Sequence, residues 1–210
     1  MLRSLKQLYG KRLRASDGDI GRVKDFYFSD QEWVVRYVIA DTGSWLVGRL
    51  VLISPHAFGN FHQDGDSLVV NLTRQQIENS PPIDLHKPVS RQYEEEYNRY
   101  YGLPSYEVGD RDPHLRSADA LSGYHILSGY HIQTSEGAIG QITDFIMDDK
   151  TWAIHHLVVE TGHWFSRKEI VISSKHIDRI SYEENMVFVN VTKEAILEAP
   201  ESHVPPIGPT

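Results

Sequence analysis

The sequence predicts a mainly β protein made of two tandem small antiparallel β-barrels, each closed by a short helix and joined by a helical linker. Three observations support this prediction: an internal duplication, short alternating strand patterns in each copy, and a helix-capping pattern at the end of each copy. The copies are not solenoid repeats, because two units of this length are too few and too long for stacked repeats that cannot bury a core alone.

The duplication is visible when the sequence is shifted against itself by 119 positions. Residues 2–81 then align with residues 121–200 without a gap, and about 21 of the 80 positions are identical. The shared motifs are an acid-Gly-x-Ile-Gly segment, an Asp-Phe pair, a Thr-Gly-x-Trp turn and a Val-Asn-x-Thr segment. A unit of this length can hold a small core of its own. We therefore predict a domain at residues 1–85, a linker at 86–118, a second domain at 119–200 and a flexible tail at 201–210.

Each copy contains several short strand patterns separated by turns. The strands predicted for the first copy cover residues 11–15, 20–28, 33–40, 45–53 and 67–72. Gly21 lies inside the second of these strands and predicts a bulge or a sharp bend. Thr73 with Gln76 fits a capping box that opens a short helix, and Thr192 is the expected N-cap of the second copy.

Several of these motifs carry a resemblance to a known family. They are Asp17-Gly18-x-Ile20-Gly21-x-Val23-x-Asp25-Phe26, the strand after Trp33, the Ile53-Ser54-Pro55 corner and the terminal Thr73…Ile77…Ser80-Pro81 segment. In both copies the chain resembles the PRC-barrel family. Its members include the cytoplasmic domain of the photosynthetic reaction-centre H subunit, the C-terminal domain of a ribosome maturation factor and many free-standing bacterial proteins. The resemblance implies docking modules and carries over no catalytic residue.

Two features of these relatives have no counterpart in the sequence. The membrane helix of the H subunit is absent, and so is the separate N-terminal domain of the ribosome factor. Neither specific role is therefore expected for this chain.

Composition and charge restrict the classes of function. The formal net charge is −8, and residues 119–210 hold about 13 acidic against 6 basic side chains, which argues against a nucleic-acid partner. The chain has no cysteine, which excludes disulfides and thiolate chemistry and fits a reducing cytoplasm. The sequence shows neither a signal-peptide pattern nor about 18 consecutive apolar residues. We expect a cytoplasmic protein without an integral membrane segment.

The linker contains a row of tyrosines on one predicted helix. Tyr93, Tyr97, Tyr100 and Tyr101 follow the i, i+4, i+7, i+8 spacing that places side chains on one helix face. This aromatic face either packs against one of the barrels and sets its orientation or forms an exposed ridge that binds a partner. Tyr93, Tyr97 and Tyr100 are therefore candidate partner-binding residues.

Two tryptophans occupy equivalent positions after the Thr-Gly turns. Trp45 in the first copy and Trp164 in the second either pack in the cores or are exposed as anchors for a partner or a membrane interface. Both remain candidates for partner binding.

Histidine is concentrated in residues 119–210, which hold seven of the 11 in the chain. A metal site from His155, His156 and His163 is one interpretation, because imidazole is a common metal ligand. Two observations argue against a metal site. His155 aligns with Arg36, so this position is expected on the surface, and the neighbours His155 and His156 on one strand point to opposite faces. The other interpretations are an ordinary exposed set of histidines and a surface that responds to pH; no native metal is expected.

Nothing in the sequence predicts catalysis. The chain has no Gly-x-Ser-x-Gly nucleophile elbow and no phosphate-binding loop, and the Asp148-Asp149 pair is predicted to lie in a turn. We therefore expect a non-enzymatic protein–protein interaction or adaptor module without a cofactor, which docks a protein partner or a second copy of itself. The alternative is a small-molecule or metal sensor that uses a crevice between the barrels or the His-rich second domain.

Overall fold

The structure is a computed structural model that describes residues 1–59, 61, 67–81, 91–103, 122–123, 127–162 and 168–198. The elements of the first repeat and the linker are β1 (Leu2–Ser4), α1 (Leu5–Leu8), β2 (Arg12–Ala15), β3 (Gly18–Ser29), β4 (Val34–Asp41), β5 (Leu50–Ile53), β6 (Ser67–Val69), α2 (Arg74–Glu78) and α3 (Arg91–Tyr101). Those of the second repeat are β7 (Ser122–Gly123), β8 (His131–Thr134), β9 (Gly137–Asp148), β10 (Ile154–Thr161), β11 (Glu169–Ser173), β12 (Ile177–Ser181), β13 (Met186–Val189) and α4 (Lys193–Glu198). Short 3₁₀ turns follow β5 and β11, at Pro55–Ala57 and Ser174–His176.

The chain forms two compact units whose bounds differ from those of the repeats. The N-unit comprises Tyr9–Gln31 and Val35–Ser122, and the C-unit comprises Met1–Leu8, Glu32–Val34 and Gly123–Thr210. The first eight residues of the predicted domain at 1–85 therefore belong to the C-unit, and the described linker helix α3 belongs to the N-unit. The reason is backbone pairing, since β1 forms an antiparallel ladder with β9 of the second repeat. The predicted tail at 201–210 lies outside the described residues.

The sheet of the N-unit has the strand order β5-β4-β3-β2-β6, and β7 pairs with β3 beside this path. Apolar side chains alternate with exposed polar ones along β2, as in a half-buried strand, whereas β4 is buried along nearly its whole length. Leu13, Ile20, Phe26, Val38 and Ile53 are fully buried.

The sheet of the C-unit repeats this plan with the order β11-β10-β9-β8-β13-β12, and β1 pairs with β9 beside the path. Ile132, Phe145, Leu157 and Val187 are among its fully buried core residues. The two cores use the same positions of the repeat, because Leu13 corresponds to Ile132 and Phe26 to Phe145.

The predicted antiparallel topology is wrong in one respect. β2 pairs with β6 in parallel, and β8 pairs with β13 in parallel, so both sheets are mixed. The alternation of apolar and polar residues cannot reveal this, because parallel and antiparallel strands both place every second side chain on one face. Among the described strands, the pairing does not close either sheet into a barrel.

The fourth predicted strand, at residues 45–53, is shorter than expected. Only Leu50–Ile53 is a strand, and residues 42–49 form a loop closed by its own hydrogen bonds. The backbone N–H of Thr42 donates to the carbonyl of Arg49 over 3.2 Å, and the Thr42 hydroxyl donates to the same carbonyl over 2.7 Å.

The glycine of each Ile-Gly motif permits a close approach of two backbones. A Cβ on Gly21 would lie 1.9 Å from the carbonyl oxygen of Asp41, and one on Gly140 would lie 2.1 Å from that of Glu160. Next to each glycine the pairing with the preceding strand shifts register, which confirms the predicted bulge. Only a residue without a side chain allows the strands to cross here.

The acid of each acid-Gly turn caps the helix that closes its repeat. The Asp17 carboxylate accepts the backbone N–H of Arg74 over 2.8 Å, and the Glu136 carboxylate accepts that of Lys193 over 2.9 Å. Thr73 forms the predicted capping box with Gln76 at the start of α2. These contacts satisfy helix N–H groups that otherwise have no partner within the helix.

We expect Gly140→Ala to destabilise the C-unit by about 1–3 kcal/mol or more, since the added methyl group meets backbone that cannot move aside. Gly162→Ala is the matched control, because its Cβ meets nothing within 4 Å; its effect should stay within about 0.5 kcal/mol. Urea unfolding followed by circular dichroism measures both. Equal effects of the two substitutions would contradict the close approach.

Candidate interaction surfaces

Tyr97 anchors the linker helix α3 inside the N-unit. Its side chain is 1% exposed and lies in one cluster with Tyr37, Ile39 and Leu52. The ring of Tyr97 meets that of Tyr37 edge to face, with centroids 5.1 Å apart. Its hydroxyl donates to the carbonyl of Leu52 over 3.1 Å and accepts the N–H of Ser54 over 2.9 Å. Tyr97, a candidate for partner binding, is therefore a core residue of the N-unit.

The neighbouring tyrosines fasten α3 to the carbonyl of Gln76 in α2. The Tyr100 hydroxyl donates to this oxygen over 2.9 Å and the Tyr101 hydroxyl over 3.4 Å. Burial raises the pKa of Tyr101 to about 12. Tyr100 stays 42% exposed, whereas the side chain of Tyr93 lies outside the described residues. Of the two interpretations of the tyrosine face, the structure supports packing within the N-unit.

The end of α3 explains how this packing is held. Gly102 follows the helix in the left-handed conformation, with φ of 64°, and the N–H of Leu103 donates to the carbonyl of Asn98 over 2.9 Å. This is a Schellman motif, in which the left-handed residue turns the chain back toward the core. Leu103 then packs against the same cluster as Tyr97.

Trp45 lies on the closed loop at residues 42–49, which we call the Val47 loop. Its ring is partly buried, and the Arg74 guanidinium lies over it, 4.6 Å from the ring centroid. Trp45 thus has one face occupied by the start of α2, as expected of a cation–π pair. Its counterpart Trp164 and the loop around it lie outside the described residues.

Val47 is the most exposed large apolar side chain among the described residues, at 95%. Its backbone is in the left-handed region, with φ of 54°, a conformation that β-branched residues rarely adopt. The hydrogen bond from the Gly48 N–H to the Gly43 carbonyl, 2.5 Å long, closes the tip of the loop around it. The sequence does not single out Val47, because this residue continues an apolar run that predicts a strand.

His155 and His156 are neighbours on β10, with ring centroids 6.3 Å apart. His155 is exposed and His156 is partly buried. Burial lowers the pKa of His156 below its usual value, and the adjacent His155 lowers this pKa further. Within the described part of the chain, no group of three or more His, Cys, Asp or Glu side chains is placed to hold a metal ion. The third candidate, His163, lies outside that part.

A buried carboxylate of the C-unit binds the first residues of the chain. The Asp144 side chain accepts hydrogen bonds from the Ser4 hydroxyl and, over 3.0 Å, from the backbone N–H of Lys6. It also accepts the N–H of Phe145 over 2.7 Å. Burial raises the pKa of Asp144, and these three hydrogen bonds oppose the rise. The repeat reveals the Asp-Phe motif but not its partner Ser4, which lies 140 residues away in the chain.

Asp148 is the last residue of β9, and Asp149 begins the turn that follows, close to the turn that the sequence predicts for this pair. Asp148 accepts the N–H groups of Lys150 and Thr151 over 3.0 and 2.9 Å, as a turn-capping aspartate does. Asp149 pairs with Arg3 over 2.8 Å. Both carboxylates are thus engaged in holding backbone and the N-terminal segment.

We expect Tyr97→Phe to destabilise the N-unit by about 1–3 kcal/mol, since the Ser54 N–H and the Leu52 carbonyl lose a buried partner. Tyr100→Phe is the matched control on the same helix. It removes a hydroxyl that is exposed to water, so its cost should stay below about 0.5 kcal/mol. Chemical denaturation measures the free energy of unfolding of both variants. If Tyr97→Phe lowers it no more than Tyr100→Phe does, the Tyr97 hydroxyl is not a buried anchor.

We expect the His156 ring to titrate by NMR with a midpoint below 6.5, and His155→Gln to raise that midpoint because a neighbouring positive charge is removed. Since the unfolded chain then binds the proton more readily than the folded chain, stability falls as the pH drops from about 6.5 through the folded-state pKa. His156→Gln should flatten this dependence. A His156 midpoint at or above 6.5 contradicts the expected burial effect.

Comparison with known proteins gives one family. The PRC-barrel domain matches the chain twice, over residues 2–77 and 122–196, which is more than two thirds of its length. No curated protein matches the sequence. In the described residues, no helix is long and apolar enough to cross a membrane. The two matches confirm the resemblance seen in the duplicated motifs, and the chain therefore belongs to the PRC-barrel family as a tandem member.

Proposed function

We propose that the protein is a non-enzymatic, cytoplasmic adaptor that binds a protein partner through the Val47 loop. Two PRC-barrel domains support a general role in protein interaction. The observation that carries the specific proposal is Val47, an apolar, β-branched side chain held almost fully in water on a strained backbone.

Neither exposure nor strain at Val47 serves the fold. A left-handed backbone at a non-glycine residue costs about 1–2 kcal/mol, and most for a β-branched side chain. The hydrogen bonds between Thr42 and Arg49 close the loop through backbone and threonine groups, so they do not require valine at the tip. Strain kept at an exposed apolar residue is typical of positions that act in binding.

The Val47 loop is also held on a rigid base. Arg49 follows Val47 closely, and its guanidinium donates to the carbonyls of Glu78 and Ser80 at the end of α2 over 2.6 and 2.5 Å. Arg74 lies over the ring of Trp45 on the same loop. A partner therefore meets a preorganised apolar tip, which lowers the entropy lost on binding. The matching partner surface is an apolar pocket of a protein.

Val47→Asn separates binding from stability. Asparagine tolerates the left-handed conformation, so we expect the variant to be as stable as the wild type or up to about 1 kcal/mol more stable. We expect it to lose the partner, because a polar amide replaces the apolar anchor. Crosslinking and quantitative affinity purification from the source cell measure binding, and thermal unfolding measures stability.

Val69→Asn is the matched control, because Val69 is another exposed valine of the N-unit, at 43%. We expect it to keep the partner despite a cost of up to about 1 kcal/mol in strand stability. The proposal is supported if the wild type and Val69→Asn both enrich the same protein and Val47→Asn enriches it at least tenfold less. The proposal would be overturned if all three chains bound the same proteins. It would also be overturned if the wild type bound none.

A further inference from the structure

The first residues of the chain complete a sheet that the second repeat builds. β1 pairs antiparallel with β9 in the register Leu2↔Asp148, Arg3↔Met147 and Ser4↔Ile146. The following turn α1 buries Leu5 and Leu8, which are 0% and 3% exposed. Residues 2–8, which we call the donor segment, thus add both a strand and apolar anchors to the C-unit.

Polar contacts fix the donor segment in one register. The Ser4 hydroxyl donates to Asp144 and accepts the N–H of Gln7 over 3.1 Å, while the Lys6 N–H donates to Asp144 over 3.0 Å. Asp144 and Ser4 are both buried, at 8% and 5% exposed. A slip of the strand by one residue would leave the buried carboxylate without these donors, which is costly.

The second repeat supplies the corresponding strand to the first. β7 lies at the positions equivalent to Arg3 and Ser4 when the repeats are aligned with a shift of 119 positions, and it pairs with β3 of the first repeat. Asp25, the counterpart of Asp144, also accepts the N–H of the phenylalanine that follows it, over 2.7 Å. Each repeat therefore receives a strand from the other one.

A second short segment of the first repeat follows the same rule. Glu32–Val34 belong to the C-unit, where the N–H of Ile154 donates to the carbonyl of Trp33 over 2.6 Å. Val34 also bridges Ala153, which is its own counterpart in the alignment. Pairing between equivalent positions of two repeats is the contact that two copies of one module make when they associate symmetrically.

We propose that β9 is a strand-acceptor site for a donor segment from another copy of the module, so that this chain is an exchanged pair of modules joined by a linker. The acceptor takes an extended segment whose hydroxyl residue reaches Asp144 and whose next turn carries two leucines. Addition of a strand to a sheet in this way is a known mode of peptide binding. Exchange of one element between copies is a common route to dimers.

The linker offers a place to separate the two repeats covalently. If strands are exchanged, the covalent connection between the repeats is not needed for their association once the chain has folded. A protease recognition sequence inserted between residues 108 and 109 of the full chain allows the folded protein to be cut there. We expect the two fragments to co-elute from a size-exclusion column at micromolar concentration.

Two variants of the cut protein test whether the donor segment carries this association. Leu5→Asp places a charge in the apolar anchor and should separate the fragments. Ser4→Gly, which installs the residue found at the equivalent position 123, keeps the backbone strand but removes a hydrogen bond to a buried carboxylate. It should weaken association about tenfold to a hundredfold. Tyr9→Asp, just outside the donor segment, is the control and should leave association unchanged.

A synthetic peptide of residues 1–10 provides a test that does not depend on the folding of any variant. Added in excess to the cut wild-type protein, it should compete for the acceptor and raise the fraction of separated fragments, whereas the same peptide with Leu5→Asp should not. Wild-type fragments that separate as soon as the linker is cut would overturn the proposal. So would Leu5→Asp and Ser4→Gly fragments that associate as tightly as the wild type.

Discussion

The hydrogen bonds that Asp144 accepts from Ser4 and Lys6 are the interaction on which the organisation of this protein depends. They bind the start of the chain to the middle strand of the second sheet and so take the first eight residues away from the repeat to which they belong in sequence. A buried carboxylate must find donors, and here the donors come from a segment 140 residues away. The repeat is consequently a unit of sequence but not a complete unit of folding.

The motifs shared by the two repeats each have a mechanical role in this organisation. The acid of the acid-Gly turn caps the closing helix, the glycine of Ile-Gly lets two backbones cross, and the aspartate of Asp-Phe in the second repeat receives the donor segment. The exposed loop at Val47 serves none of these roles. For this reason we place the proposed partner-binding function there, and not in the shared motifs or in the tyrosine helix, whose Tyr97 is buried.

Local sequence signals predicted the local structure well, and the reason is physical. The bulge at Gly21, the capping box at Thr73 and the tyrosine helix of the linker depend on residues close in sequence, whose preferences act within one or two turns. The parallel pairing of β2 with β6 and the transfer of β1 to the second sheet depend on contacts between distant segments, which alternation does not encode. The strain at Val47 cannot be predicted for a related reason. An apolar residue after Trp45 fits a strand pattern, and only the hydrogen bonds of the closed loop show that it is not in a strand.

Backbone NMR contacts distinguish whether residues 2–4 pair with the second repeat or with the first. Because the repeats are related by 119 positions, the strand opposite residues 2–4 is either 146–148 in the second repeat or its counterpart 27–29 in the first. We expect nuclear Overhauser effects between backbone protons of residues 2–4 and those of residues 146–148, in the register Arg3↔Met147. Nuclear Overhauser effects from residues 2–4 to residues 27–29 would show that each repeat keeps its own first strand. They would contradict the pairing of residues 2–4 with the second repeat.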